Sequence, residues 1–448
     1  MTLAYRGHLF DVDASGTLRS EPDGVLAIAN GRVVFRGRWA EFARDPAAVE
    51  ATVVAGEHPR FLLPGFVDTH VHYPQVFSTD AYASGERGDG GSASGQLLDW
   101  LERCIFPAET RLADPEHAAR AAAAFCARRV AAGTTTALVF GSAFPSAQDA
   151  LLGESLKVGL RTVSGRGVQT AGPASAAPLL TDIDTAVSLC ADEIERWHGA
   201  GGGLIAAAVV PRFALSLRPR DMTTLAAFYG SVRDRGVYFH THLSENDAGP
   251  DGEVASTCAA YGVDRYLDAY DGFLGRRSVF AHAVHCHDDE LSRLAAAGSA
   301  IAHCPTSQFF LGSGTMPWRR TVASGVEVAL GTDVGAGDEW LLSRVAADCY
   351  KAHISEPGAA SVALDPARLL ELCTLAGARA LDLDSVTGNF DVGKEADVLI
   401  IEPHRWPALD GVLTHAPESP ESQLFSLLLG LREPAIADVL VRGVSVVG

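Results

Sequence analysis

No run of 18 or more apolar residues occurs in this chain, which argues against a membrane-spanning helix. The first residues, Met1-Thr-Leu-Ala-Tyr-Arg6, lack the basic start and apolar core of a secretory leader. Basic residues are scarce. Lys and Arg number 36 against 55 Asp and Glu, a formal net charge of −19. Such a surface repels phosphate backbones, so neither nucleic acid nor a membrane is an expected partner. The eight cysteines, at 104, 126, 190, 258, 286, 304, 349 and 373, contain no Cys-x-x-Cys pair. Most lie in apolar stretches such as Ala124-Phe125-Cys126 and read as buried reduced thiols rather than disulfides. The compartment these absences point to is the cytoplasm.

The chain is 448 residues long and 47% hydrophobic, too long for one small core and suited to a large barrel plus an accessory domain. Its two ends read as short strands. Val25–Ala29, then Asn30-Gly31, then Arg32–Arg36 is a hairpin pattern, because Asn-Gly suits a type I′ turn. Residues 397–401 and 439–447 are strand-like as well. Neither end alone offers enough strands to bury a face, so residues 1–63 and 386–448 are expected to form one small β-sandwich domain. Between them, residues 64–385 alternate strands and helices. Asp114-Pro115 marks a helix start, and that helix should stop at Gly133. Strands follow at 135–140, 204–210, 237–242, 278–282, 300–303 and 326–333. This repetition points to a parallel (β/α)8 TIM-like barrel, with an open doubly wound sheet as the alternative. No Gly-x-Gly-x-x-Gly follows the first strand, which counts against a dinucleotide-binding sheet. The Gly- and Ser-rich stretch 84–96 reads as a mobile loop that could cover a site.

Barrel chemistry gathers at the carboxyl ends of the strands. His70 and His72 follow the apolar run Phe66-Val67, and residues i and i+2 of a strand share a face. The next polar strand ends are His240 and His242, followed by Ser244 and Glu245, then His282, then Asp333 after Gly331-Thr332. One histidine at a strand end is ordinarily structural, and a lone Asp after Gly-Thr is ordinarily a helix cap. Their recurrence on successive strands points to a catalytic metal centre with room for water. His240 is expected to fill the barrel interior, and His285, His287 and His303 to be structural. Nitrogen and oxygen ligands suit zinc, with iron or manganese also compatible. A metal-activated hydroxide needs a proton shuttle. Glu245 is placed to protonate a substrate, Asp333 to pass the water proton to the leaving group, and His282 to hold the attacking oxygen.

These residues resemble the amidohydrolase superfamily, and within it the guanine deaminase family. Pro64-Gly-Phe-Val-Asp-Thr-His-Val-His-Tyr-Pro-Gln75, Gln96-Leu-Leu-Asp-Trp-Leu-Glu, Phe106-Pro-Ala-Glu109 and Pro211-Arg-Phe213 carry the likeness in order. Thr241-His-Leu-Ser-Glu-Asn246, His303-Cys-Pro-Thr-Ser, Leu311-Gly-Ser-Gly314, Gly331-Thr-Asp333 and the segment 388–397 continue it. The resemblance implies metal ligands His70, His72, His242 and Asp333, and guanine contacts at Gln75, Arg212 and Phe213. It also implies a homodimer and hydrolytic deamination of guanine to xanthine and ammonia. Some positions depart from the family pattern: Gln308, the stretch 335–339, His240, the stretch 164–170 and the long 84–96 segment. They motivate the same chemistry on another aminated heterocycle, such as a pterin, triazine or modified guanine. A metal-free scaffold is the remote alternative, disfavoured because every ligand position is intact.

Overall fold

The computed structural model describes residues 1–78 and 97–447; the 84–96 segment lies outside the described residues. Two sheets organise the chain. The first takes strands from both ends: β1 (Thr2–Val12), β2 (Leu18–Ala29), β3 (Arg32–Arg38), β4 (Ala51–Val54) and β5 (Phe61–Pro64). The second begins with β6 (Phe66–His72) and continues through β7 (Thr134–Phe140), β8 (Arg161–Gly165), β9 (Gly167–Val168), β10 (Ile205–Pro211), β11 (Tyr238–Leu243), β12 (Ser278–His282), β13 (Ala300–His303) and β14 (Glu327–Leu330). The chain then returns to the first sheet with β15 (Val398–Ile401), β16 (Ile436–Val441) and β17 (Val444–Ser445).

The ladder of the second sheet runs β6-β7-β8-β10-β11-β12-β13-β14, all parallel, with β9 beside β10. This is the expected eight-stranded TIM-like barrel. One side-chain and one backbone hydrogen bond help close its seam: Thr69 Oγ1 donates to the Leu330 carbonyl at 2.8 Å, and the Asp333 amide donates to the His70 carbonyl at 2.8 Å. Helix α1 (Pro115–Ala131) starts as expected, with Asp114 accepting from the Glu116 amide at 3.0 Å. The sequence pattern did not reveal β8. It has five residues, and Thr162 and Ser164 spend their hydroxyls on Arg129 and the Val139 carbonyl, so no apolar alternation marks it.

In the first sheet the order is β17-β16-β15-β5-β1-β2-β3, with β4 paired to β1. The two chain ends meet where β5 pairs antiparallel with β15. Tyr5, Leu26, Leu62, Val398 and Leu440 pack on one face, and Ala4, Val25, Ala27 and Phe42 on the other. Asn30 and Gly31 adopt φ of 51° and 77°, the type I′ turn that their residue types favour. The run 439–447 is not one strand. Arg442 and Gly443 (φ 51° and 70°) fold it into the hairpin β16–β17. No disulfide joins the eight cysteines; Cys104 and Cys258 are only half-buried, the other six buried.

A buried ionic knot ties the barrel to this sheet. Arg161, on β8, reaches Asp397 at 2.5 Å and also pairs with Glu395. Asp397 accepts further from Thr387 Oγ1 and the Arg442 amide, both at 2.9 Å, and Arg442 Nε donates to Glu395 at 2.8 Å. Breaking such a pair leaves a buried charge unmatched, so Arg161→Met should lower stability by about 3–5 kcal/mol in urea unfolding. A loss under about 1 kcal/mol would show the knot to be solvated and weak.

Candidate active site

Asp68 organises the barrel seam. Its Oδ1 accepts from the Thr332 amide at 3.0 Å and the His70 amide at 3.2 Å, and its Oδ2 from Thr332 Oγ1 at 2.6 Å. One carboxylate thereby joins the first and last barrel strands and sets His70 and Asp333 side by side. Burial pushes the Asp68 carboxyl up to about 6, and the Thr332 and His70 donors oppose that rise. The backbone is left-handed at Ser244 (φ 47°), His282 (75°), Ala283 (52°) and Asp333 (50°), all just at or beyond the carboxyl ends of β11, β12 and β14. Such conformations cost of order 1–3 kcal/mol each and persist where surrounding contacts enforce them.

His70, His72, His242 and Asp333 converge, each offering one ligand atom within 4.8 Å of the others. His70 Nε2 and His72 Nε2 each lie 3.2 Å from Asp333 Oδ1, and His72 Nε2 lies 3.1 Å from His242 Nε2. The outer ring nitrogens of two of these histidines are anchored: His242 Nδ1 donates to the Arg212 carbonyl at 2.6 Å, and His70 Nδ1 faces His240 Nε2 at 2.7 Å. His240 in turn donates from Nδ1 to the Val279 carbonyl at 2.8 Å, so it fills the barrel interior as expected and fixes the His70 ring. Burial pushes His72 down to about 4 and His242 well below the usual imidazole range, which favours neutral rings with one lone-pair nitrogen each. Burial works against the charge of Asp333, but the facing His70 and His72 rings outweigh it and hold the carboxyl low. His70 Nε2 is buried without a hydrogen-bond partner. A buried set of three imidazoles and a carboxylate with outer nitrogens anchored by neighbours fits a divalent metal ion.

Glu245 and His282 flank this group. His282 Nε2 stands 3.4 Å from Glu245 Oε2 and 3.8 Å from Asp333 Oδ2. Burial drives the Glu245 carboxyl well above its usual range, and the Asp333 and Glu253 carboxylates add to the rise. Burial also lowers His282 to about 3. Glu253, which the sequence did not single out, positions Glu245. Its Oε2 accepts from the Glu245 and Asn246 amides at 2.9 and 3.0 Å, and its Oε1 accepts from the Tyr266 hydroxyl at 2.5 Å.

Gln75, Arg212 and Phe213 line the same cavity as His72, His242, Glu245 and Asp333, a tight space also walled by Trp100 and Leu101. Gln75 sits in the short turn directly after β6, and Arg212 and Phe213 directly follow β10, so strand ends place all three. Glu109 binds two of them, accepting from Gln75 Nε2 at 3.0 Å and Arg212 at 2.5 Å. The Arg212 guanidinium lies 5.3 Å above the Phe106 ring. Neither Glu109 nor Trp100 carried a role in the sequence reading; a carboxylate is not recognisable as a partner of two side chains far off in sequence. His285, His287 and His303 lie outside the cavity wall. His303 Nε2 faces His353 Nε2 at 3.0 Å, and His353 Nδ1 reaches Glu356 at 2.7 Å, a closed hydrogen-bond chain. Gln308 approaches His303 at 3.4 Å and is not among the cavity-lining residues, whereas the 335–339 stretch reaches the cavity through Ala336 and packs Gly335 against Gln75.

The sequence matches the amidohydrolase family over residues 61–445. A probable guanine deaminase of Deinococcus radiodurans is 40% identical over 439 residues, spanning 94% of this chain and 93% of that protein. The guanine deaminase of Escherichia coli is 35% identical over 418 residues, 90% of this chain and 88% of that one. A solved structure of E. coli guanine deaminase superposes with a TM-score of 0.87 at 32% identity, covering 99% of this chain and 98% of that chain. With barrel, buried His/Asp group and full-length likeness in agreement, the chain belongs to the amidohydrolase family.

Proposed function

We propose that this protein hydrolyses the exocyclic amino group of guanine: guanine and water give xanthine and ammonia. The observation that carries the reading is one cavity lined by Gln75, Arg212 and Phe213 together with Glu245 and with His72, His242 and Asp333 of the buried His/Asp group. The relatives named as guanine deaminases, 35–40% identical over nine-tenths of the chain, support the same substrate.

In this reading His70, His72, His242 and Asp333 hold one divalent ion, zinc being the ion that suits three imidazoles and a carboxylate. When bound, such an ion lowers the pKa of its water towards 7 and so supplies hydroxide at neutral pH. The residues of the chain direct the rest. Phe213 packs on the purine ring, Arg212 donates to the carbonyl oxygen, and Gln75 meets a polar edge. Glu245, kept protonated by its buried surroundings, gives its proton to the ring nitrogen next to C2. Asp333 turns Oδ1 to His70 and His72, which leaves Oδ2 to take one proton of the attacking water and pass it to the departing amine; the second water proton returns to Glu245 as the C2 carbonyl forms. His282, between the two carboxylates, donates to the incoming oxygen. The homodimer and the cytoplasmic location belong to this same reading, supported by the family resemblance and the acidic, span-free sequence.

Metal-loaded protein given guanine should release ammonia and xanthine in equal amounts; no release at high enzyme concentration would exclude guanine. Glu245→Gln should retain the metal and lose about 10²–10⁴ in rate. Turnover like that of the unaltered protein would remove Glu245 from proton transfer. Asp68→Asn should weaken metal binding by about 10- to 100-fold in a chelator competition, because it loosens the support of His70 and Asp333. Unchanged affinity would show that the seam does not tune the site.

A further inference from the structure

Gln75 and Arg212 approach the cavity from different strands, and one buried group lies behind both. Glu109 is buried and is not part of the cavity wall. A single oxygen, Oε1, accepts from Gln75 Nε2 at 3.0 Å and from Arg212 at 2.5 Å. A carboxylate paired with a guanidinium only accepts hydrogen bonds. The Gln75 amide must therefore turn its NH2 group to Glu109, which takes one of its two N–H donors. Its carbonyl, Oε1, is buried and has no hydrogen-bond partner. The other side of the amide is confined too: a Cβ at position 335 would lie 1.8 Å from Gln75 Oε1, so only glycine there leaves room for this orientation. Gly335 has φ of 121°, a backbone that other residues rarely adopt.

We infer that Glu109 is a positioning residue that sets the polarity of substrate recognition: by taking an N–H of Gln75 it leaves Oε1 as the unpaired acceptor of that amide, and it holds the Arg212 guanidinium beside it. The inference rests on the aminohydrolase reading above and deepens it. A ligand must offer an N–H to Gln75 and an acceptor to Arg212, the alternation that an amide edge of an aminated heterocycle such as guanine supplies. An unpaired buried carbonyl is costly, so a ligand lacking that N–H is rejected rather than merely bound less well. Arg212 also accepts the His242 Nδ1 proton through its main-chain carbonyl at 2.6 Å, so the same residue links the recognition edge to the metal-binding histidine.

A side-chain exchange tests the assignment. Glu109→Gln frees the Gln75 amide to flip, and Gln75→Glu sets two carboxylates against each other; each should raise KM about 10- to 100-fold with a smaller change in kcat. The double variant Gln75→Glu, Glu109→Gln restores the pair in reverse. Its new amide donates to the new carboxylate, whose second oxygen again stands as the unpaired acceptor. It should recover at least tenfold of the loss in KM. A purely structural role predicts instead that the double variant is no better than the worse single one, and that outcome overturns the inference, as does Glu109→Gln with an unchanged KM. Where Gln75→Glu alone does not fold, Gln75→Leu takes its place. In that background Glu109→Gln should raise KM less than it does in the unaltered protein, and an equal rise counts against the inference. If the unaltered protein does not deaminate guanine, the substrate assignment fails separately, and the cycle is scored on whichever aminated heterocycle it does deaminate.

Discussion

A barrel of parallel strands must close, and here closure depends on the carboxylate of Asp68. It accepts hydrogen bonds from the first strand, at the His70 amide, and from the segment after the last strand, at the Thr332 amide and hydroxyl. The β6 and β14 backbones do not continue the ladder into each other, so these contacts, with Thr69 to Leu330 and Asp333 to His70, take its place. The consequence is chemical. Residues separated by more than 260 positions, His70 and Asp333, stand 3.2 Å apart because the seam that joins their strands runs directly beneath them.

From that seam outward, several site groups are held by a neighbouring residue. His240 anchors His70 and the Arg212 carbonyl anchors His242, while Glu109 holds Gln75 and Arg212 together. Glu253 lines the cavity and also holds the loop that carries Glu245. The left-handed backbone at Ser244 stands between His242, held at the Arg212 carbonyl, and Glu245, held by Glu253. Rigid placement matters for hydrolysis, since proton donors and acceptors act only within hydrogen-bond reach of the reacting atoms.

The chain-end sheet contributes support rather than chemistry. Its link to the barrel runs through Arg161, Glu395, Asp397 and Arg442, a buried ionic group whose members lie far apart in sequence. The β8 strand that carries Arg161 is polar for this reason, and the same polarity hides it from a search for apolar alternation.

The sequence by itself determined the barrel, the sheet built from both ends, the Asn30-Gly31 hairpin and the identities of the strand-end histidines, Glu245 and Asp333. All of these follow from local periodicity, turn chemistry and short motifs, which depend on residues close together in the chain. It did not reveal the strand at 161–165, the break at Arg442-Gly443, the seam role of Asp68 or the placement of Glu109 and Glu253. Each of those rests on a polar contact made across the fold, and a carboxylate carries no local mark of the donor it will meet. Only the tertiary structure brings Glu109 to Gln75 and Arg212, and only that contact decides which face of the Gln75 amide a ligand would meet.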